Sequence, residues 1–175
     1  YDEFAQAFTT HMSALVVGDP LDPAVDVGPL ATRQGRDDLK ELVDDAVSKG
    51  AEVLVGGYIP EGDGFFYAPT ILAELDESMR VVQEETFGPV ASLYRTEDAE
   101  AALRVANQTS FGLSSSVWTT DPDEQAWFLQ NLDAGAVFIN GMTVSYQELP
   151  FGGIKRSGYG RELAADGIRE FCNLK

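Results

Sequence analysis

Residues 114–139 read SSSVWTTDPDEQAWFLQNLDAGAVFI, and this stretch decides the fold class. Ser114 to Trp118 is a strand. Asp121-Pro122-Asp123-Glu124 then opens a helix: a capping carboxylate, proline at the first helical position, and acids where the unpaired N–H groups lie. That helix leads to Leu132, and Ala136 to Ile139 is a buried apolar strand. Strand, helix and strand in this order, with short apolar and β-branched strands, is the pattern of a parallel sheet covered on both faces.

The alternation extends outward to residue 32. Upstream, a helix over about Thr32 to Lys49 carries the apolar face Leu39, Leu42, Val43, Ala46 and Val47 and stops at Gly50. Glu52 to Val55 is a strand, Ile59 to Gly64 a loop, and Tyr67 to Leu72 extended. Val81-Val82 and Val90 to Tyr94 are strand candidates on either side of Glu84 to Pro89. Thr96 caps a helix reaching about Ala106. At the start, Tyr1, Phe4, Phe8, Met12 and Leu15 mark an amphipathic helix ending near Gly18-Asp19-Pro20, before a surface loop to Pro29. Downstream, Asn140 to Gly160 is a long loop, a short helix covers Arg161 to about Arg169, and Phe171-Cys172-Asn173-Leu174 is extended. With no internal repeat or linker, these residues predict one domain over 1–175. Its fold is α/β, with a doubly wound, mainly parallel sheet and helices on both faces.

Composition narrows the function. The 175 residues hold 29 acidic and 12 basic side chains, a net charge of −17. Residues 1–150 carry −19 and residues 151–175 carry +2. A body this acidic repels phosphate backbones and anionic lipid surfaces, which argues against nucleic-acid and membrane partners. No apolar run approaches the roughly 20 residues of a membrane span. One cysteine, Cys172, and one histidine, His11, leave no internal disulfide and no cysteine or histidine metal cluster. A reducing, cytoplasmic setting follows from that cysteine usage. The chain opens at Tyr1 inside a helix, which reads as an excised portion of a longer protein.

Two loops stand out, because doubly wound sheets bind ligands in the loops after their strands. Glu84-Glu85-Thr86-Phe87-Gly88-Pro89 sets adjacent carboxylates beside an aromatic ring. A carboxylate that accepts from two hydroxyls suits vicinal sugar hydroxyls. The plainer reading is a solvated acidic turn with Phe87 in the core. The second loop runs from Pro150-Phe151-Gly152-Gly153 through Ile154-Lys155-Arg156-Ser157 to Gly158-Tyr159-Gly160-Arg161-Glu162. Its glycines and cations suit close approach to something anionic, or else make a packing loop that neutralises the acidic body. It is neither a dinucleotide fingerprint nor a P-loop. His11 reads as a surface residue, Cys172 as buried and inert, and Trp118 and Trp127 as core. These residues contain no complete catalytic set.

At the same two loops the sequence resembles the NAD(P)-dependent aldehyde dehydrogenases, whose signature segments have this order and separation. Ala106-Asn107, Phe111-Gly112-Leu113, Gly135-Ala136-Val137-Phe138-Ile139-Asn140 and Tyr1-Asp2-Glu3-Phe4 are similar to that family too. Asn140-Gly141-Met142-Thr143-Val144-Ser145, followed by Pro150-Phe151-Gly152-Gly153, looks most like its bacterial succinate-semialdehyde branch.

The resemblance carries specific implications. Glu85 matches the carboxylate that holds the nicotinamide ribose hydroxyls, and Phe87 the ring beside the nicotinamide. The loop from Asn140 to Pro150 matches the aldehyde entrance. Ser145 falls where a serine meets the substrate's distal carboxylate, and Phe151 matches a ring at the pocket mouth. The implied chemistry is covalent: a cysteine thiolate attacks the aldehyde, hydride passes to the nicotinamide of NADP or NAD, and a carboxylate activates water. The resemblance puts that cysteine just upstream of Tyr1, leaves 1–175 inactive alone, and favours NADP over NAD. It also implies a homodimer or homotetramer built partly through a terminal strand starting at 171–175. Another aldehyde preference, or a non-catalytic module on the same scaffold, are the competing readings.

Overall fold

A computed structural model describes residues 1–173 and 175. It is α/β, and it divides into two compact units, residues 1–95 and 96–175.

The first unit contains helices α1 (Asp2–Ser13), α2 (Arg33–Ser48) and α3 (Arg80–Gln83), with strands β1 (Glu52–Val55), β2 (Thr70–Ala73) and β3 (Val90–Ser92). Thr32 caps α2, its hydroxyl accepting from Gly35 N at 3.0 Å. The periodic face expected of α2 is buried at Leu39, Leu42, Val43 and Ala46, although Val47 stays exposed. β2 is the middle strand, antiparallel to β1 and parallel to β3. Its four residues are all buried, as a strand covered on both faces requires. Tyr67, Leu72, Met79 and Val81 complete the core with α2.

Val81-Val82 is not a strand. Arg80 to Gln83 form a single helical turn, in which Val81 is a core residue and Val82 packs against that core. A strand would send these neighbouring side chains to opposite faces, whereas one helical turn keeps both on the core side. Packing outweighs the β-propensity of two valines.

The second unit contains β4 (Phe111–Gly112), β5 (Ser114–Val117), β6 (Ala136–Ile139) and β7 (Ile154–Lys155), with α4 (Ala99–Gln108), α5 (Pro122–Asn131) and α6 (Ala164–Arg169). The decisive stretch folds as expected: β5 and β6 pair in parallel, in register from Ser114↔Ala136 to Val117↔Ile139, with α5 between them. Asp121 caps α5, with Pro122 at its first position. Strand β7 interrupts the expected long loop and pairs antiparallel with β4. The cap of α4 is Asp98 rather than Thr96; its carboxylate accepts from Ala101 N at 2.7 Å.

The expected terminal strand does not begin at Phe171. Instead Phe171 N donates to Ile168 O at 3.3 Å and Cys172 N to Arg169 O at 2.9 Å, so the end of α6 winds on into a turn. Closing that turn pairs backbone donors that a lone strand would leave unpaired. Leu174, the last residue of the expected strand, lies outside the described residues. Cys172 is exposed rather than buried, and Trp118 is 65% exposed rather than core.

Tyr67 is 1% exposed, and its hydroxyl meets no hydrogen-bond partner among the described residues. Burial, and then the charge of Asp44, push its phenol up to about 12. An unfolded phenol ionises near its ordinary value of 10.0. Between those values the unfolded chain binds fewer protons, so this contribution to stability falls as pH rises. Tyr67→Phe should therefore flatten the alkaline loss seen in urea unfolding. At neutral pH it should leave the protein at least as stable, with a gain of up to about 1 kcal/mol, because no lone hydroxyl is buried.

Candidate functional site

The acidic turn is fixed from below by α2. Asp45 accepts from Arg80 N at 2.9 Å, and Lys49 Nζ donates to Ser78 O at 2.5 Å, tying the start of α3 to the end of α2. The Arg80 N–H first, and then Lys49, hold the Asp45 carboxyl below its usual range. Further along, Thr70 N donates to Pro89 O at 2.8 Å and pins the turn to β2. Between these anchors Gly88 lies against α2, where an added Cβ would stand 2.4 Å from Leu39 Cδ2. Glycine is required here for close approach, not for its dihedral freedom.

The turn enters β3 instead of leaving a strand, so it does not obey the rule that ligands follow strand ends. It borders a cleft of about 570 Å³ lined by Asp38, Glu41, Arg80, Glu84, Glu85 and Phe87, together with apolar residues of α2.

The two adjacent glutamates are not equivalent. Arg80 holds Glu84 with both prongs, Nε to Oε1 at 2.7 Å and Nη2 to Oε2 at 3.1 Å. Those bonds keep the Glu84 carboxyl below the usual range. Glu85 is exposed, and its carboxylate has no hydrogen bond or ion pair among the described residues. Phe87 is 73% exposed, so its ring is not in the core. An unpaired acceptor beside an open aromatic face fits a ribose diol and the ring attached to it.

In the second unit, the loop from Asn140 leaves the C-terminal end of β6. Asn140 adopts φ 51°, a conformation asparagine tolerates better than most residues. Its side-chain amide continues the sheet: Thr119 N donates to Oδ1 at 2.9 Å, and Nδ2 donates to Thr119 O at 2.9 Å. Beyond it, Tyr146 approaches Phe138 with ring centroids 6.5 Å apart. Ser145 is exposed, and its hydroxyl makes no hydrogen bond among the described residues. Phe151 is half-buried, and its backbone pairs with Glu162 at 2.7 and 2.8 Å.

The glycine-rich loop is a packing loop. Lys155 Nζ donates to Asn107 O at 2.8 Å and Thr109 O at 3.2 Å, stopping the carbonyl end of α4, and pairs with Asp133 at 3.1 Å. Arg161 bonds the carbonyls of Gly153 and Gly160 at 3.1 and 2.7 Å. Arg156 stacks over Phe111, 5.1 Å from the ring centroid. A Cβ at Gly135 would stand 1.8 Å from Gly152 O, so this pair is a backbone-to-backbone contact. With its cations engaged within the chain, the loop does not present them as an anion cradle.

Sequence reasoning passed over Asp45, Arg80 and Asn140. The (i, i+4) spacing of Arg80 and Glu84 was a readable signal. So was an asparagine between an apolar strand and a glycine.

Residues 1–175 match the sequence signature of the Aldehyde dehydrogenase family. The chain belongs to that family. It is 57% identical over all 175 residues to succinate-semialdehyde dehydrogenase [NADP(+)] 1 of Mycobacterium ulcerans, spanning 38% of that protein's length. It is 54% identical, over the same span, to the protein of that name from Mycobacterium tuberculosis. Among solved structures, succinic semialdehyde dehydrogenase from Streptococcus pyogenes, in complex with NADP+, superposes with a TM-score of 0.94 at 36% identity. That superposition covers 99% of this chain and 38% of that one. Betaine aldehyde dehydrogenase from Staphylococcus aureus, in complex with NAD+, gives 0.91 at 34% identity, covering 97% and 35%.

The Asn140 amide predicts its own test. Asn140→Ala removes two hydrogen bonds and places a less tolerant residue at positive φ. The variant should lose about 2 kcal/mol in chemical unfolding. Asn140→Asp, which keeps one acceptor, should lose less. Equal stability of wild type and Asn140→Ala would remove the clamp from the architecture.

Proposed function

We propose that these residues form part of an NADP-preferring succinate-semialdehyde dehydrogenase, contributing its coenzyme-facing turn and its aldehyde-entrance loop. The observation that carries this reading is the unpaired Glu85 carboxylate beside the open Phe87 ring, while Glu84 is held by Arg80. The relatives' names narrow it to the semialdehyde and to NADP. NAD is the alternative coenzyme, since an NAD+ complex also occurs among the structural neighbours.

When bound, the coenzyme accepts hydride from the aldehyde carbon. Glu85 accepts hydrogen bonds from the ribose hydroxyls and so orients the nicotinamide, with Phe87 packing beside that ring. Ser145 donates its hydroxyl proton to the substrate's far carboxylate, and Phe151 narrows the pocket mouth. The nucleophilic cysteine comes from outside these 175 residues, since Cys172, the one thiol here, is exposed in the turn after α6. A cytoplasmic location and a homodimer or homotetramer belong to the same proposal. A low cysteine content supports the first, and the family resemblance supports the second.

Two substitutions in the full-length enzyme test the assignment. Glu85→Gln keeps the shape but loses the charge-assisted bonds, an effect of about 1.5–3 kcal/mol. It should raise the NADP+ Kd, measured by quenching of protein fluorescence. An unchanged Kd would exclude Glu85 from the coenzyme site.

Ser145→Ala should lower kcat/KM for succinate semialdehyde by roughly one to two powers of ten, while an uncharged aldehyde of similar length is barely affected. Comparing the two kcat/KM values in wild type and variant decides the matter. A ratio that stays constant argues against a carboxylate anchor at Ser145.

A further inference from the structure

Resting on the reading of Glu85 as the ribose ligand, we propose that Arg80 is a positioning residue for coenzyme binding, acting by engaging Glu84 so that Glu85 alone presents a free carboxylate. Four carboxylates line the cleft, from Asp38, Glu41, Glu84 and Glu85, and Arg80 is the one cation among its lining residues. A dinucleotide is itself an anion, so a cleft of this composition opposes its approach unless some of that charge is balanced. Arg80 balances the carboxylate next in sequence to the ligand, and it does so with both prongs of its guanidinium.

The placement of Arg80 is set independently of that pair. Its backbone N–H is fixed by Asp45 at 2.9 Å, and the neighbouring carbonyl of Ser78 by Lys49 at 2.5 Å. The buried side chain of Val81, one residue on, seats the same turn in the core. The arginine therefore emerges from a turn held at three points, and Glu84 lies one helical turn away on the same face. Without Arg80, two neighbouring carboxylates of equal freedom would compete for one pair of ribose hydroxyls. Both would also face the incoming anion.

This action is chemical, not merely structural, and binding measurements separate the two. The probes are NADP+ and adenosine 2′,5′-bisphosphate, titrated calorimetrically into the full-length enzyme. The second probe lacks the nicotinamide ribose, so it does not reach Glu85. Arg80→Met should weaken NADP+ about threefold to fivefold, the scale of an exposed bidentate pair, with adenosine 2′,5′-bisphosphate unchanged. Adding Glu84→Gln to Arg80→Met should restore NADP+ binding, because the carboxylate that needed a partner is gone. Arg80→Lys, which keeps the cation without the fork, should fall between wild type and Arg80→Met. It carries the test if Arg80→Met does not fold.

Three results would overturn the proposal: unaltered NADP+ affinity in Arg80→Met, no rescue in the double variant, or equal weakening of both probes. Glu85→Gln, measured alongside, tells the two readings apart. If Glu85→Gln weakens NADP+ while Arg80→Met does not, the positioning role fails and the coenzyme reading stands. If Glu85→Gln has no effect, both fall.

Discussion

The first unit depends on the burial of one helical stripe. Leu39, Leu42, Val43 and Ala46 of α2 are all buried with Tyr67, Leu72, Met79 and Val81, and each such side chain contributes about 1.5–3 kcal/mol relative to exposure. The same helix turns polar residues outward beside that stripe. Asp45 and Lys49 reach the start of α3, while Asp38 and Glu41 border the cleft. Leu39 belongs to both systems: it is core, and it is also the surface on which Gly88 rests. Hydrophobic burial, which has no directional preference, thereby sets the position of a carboxylate whose function is directional.

The second unit is held differently. Among its described residues no apolar side chain is fully buried, and its strands are half-covered. Order comes instead from polar side chains that complete backbone hydrogen bonds. Asn107 donates to Asn131 O and accepts from Asp133 N, both at 2.8 Å, joining the end of α4 to the end of α5. Lys155 stops the carbonyls of α4, and Ser157 Oγ accepts from Gly112 N at 3.0 Å. Such bonds contribute about 1 kcal/mol each, but they fix geometry more narrowly than apolar contact does.

What the sequence made legible follows from the length and periodicity of each signal. α2 and α5 declared themselves through an apolar stripe or a strong cap, and β6 through its continuous apolar run. Strands β4 and β7 have two residues each, too short for any period to register. α3 reads locally as strand because only the packing of Val81 and Val82 on one core makes it helical. Phe171 and Cys172 have strand-like composition but wind on as the end of α6. At the site, composition left the acidic turn open between a solvated loop and a diol binder, and family resemblance chose Glu85. The physical distinction between Glu84 and Glu85 lay four residues upstream, at Arg80. The glycine-rich loop was open for a similar reason: its cations are visible in the sequence, but the carbonyls they engage are not.

The Asn140 amide has a consequence for how this protein can change over evolutionary time. By imitating a peptide unit opposite Thr119, it ends the sheet with a side chain, and the main chain is released immediately afterward. Whatever follows is mechanically uncoupled from the strand before it. Met142, Val144, Tyr146 and Leu149 are 45–71% exposed, so replacing them disturbs little packing. A mutational walk through this stretch therefore crosses few destabilised intermediates. Lineages can remodel the aldehyde entrance by drift and selection while the α/β frame beneath it stays the same.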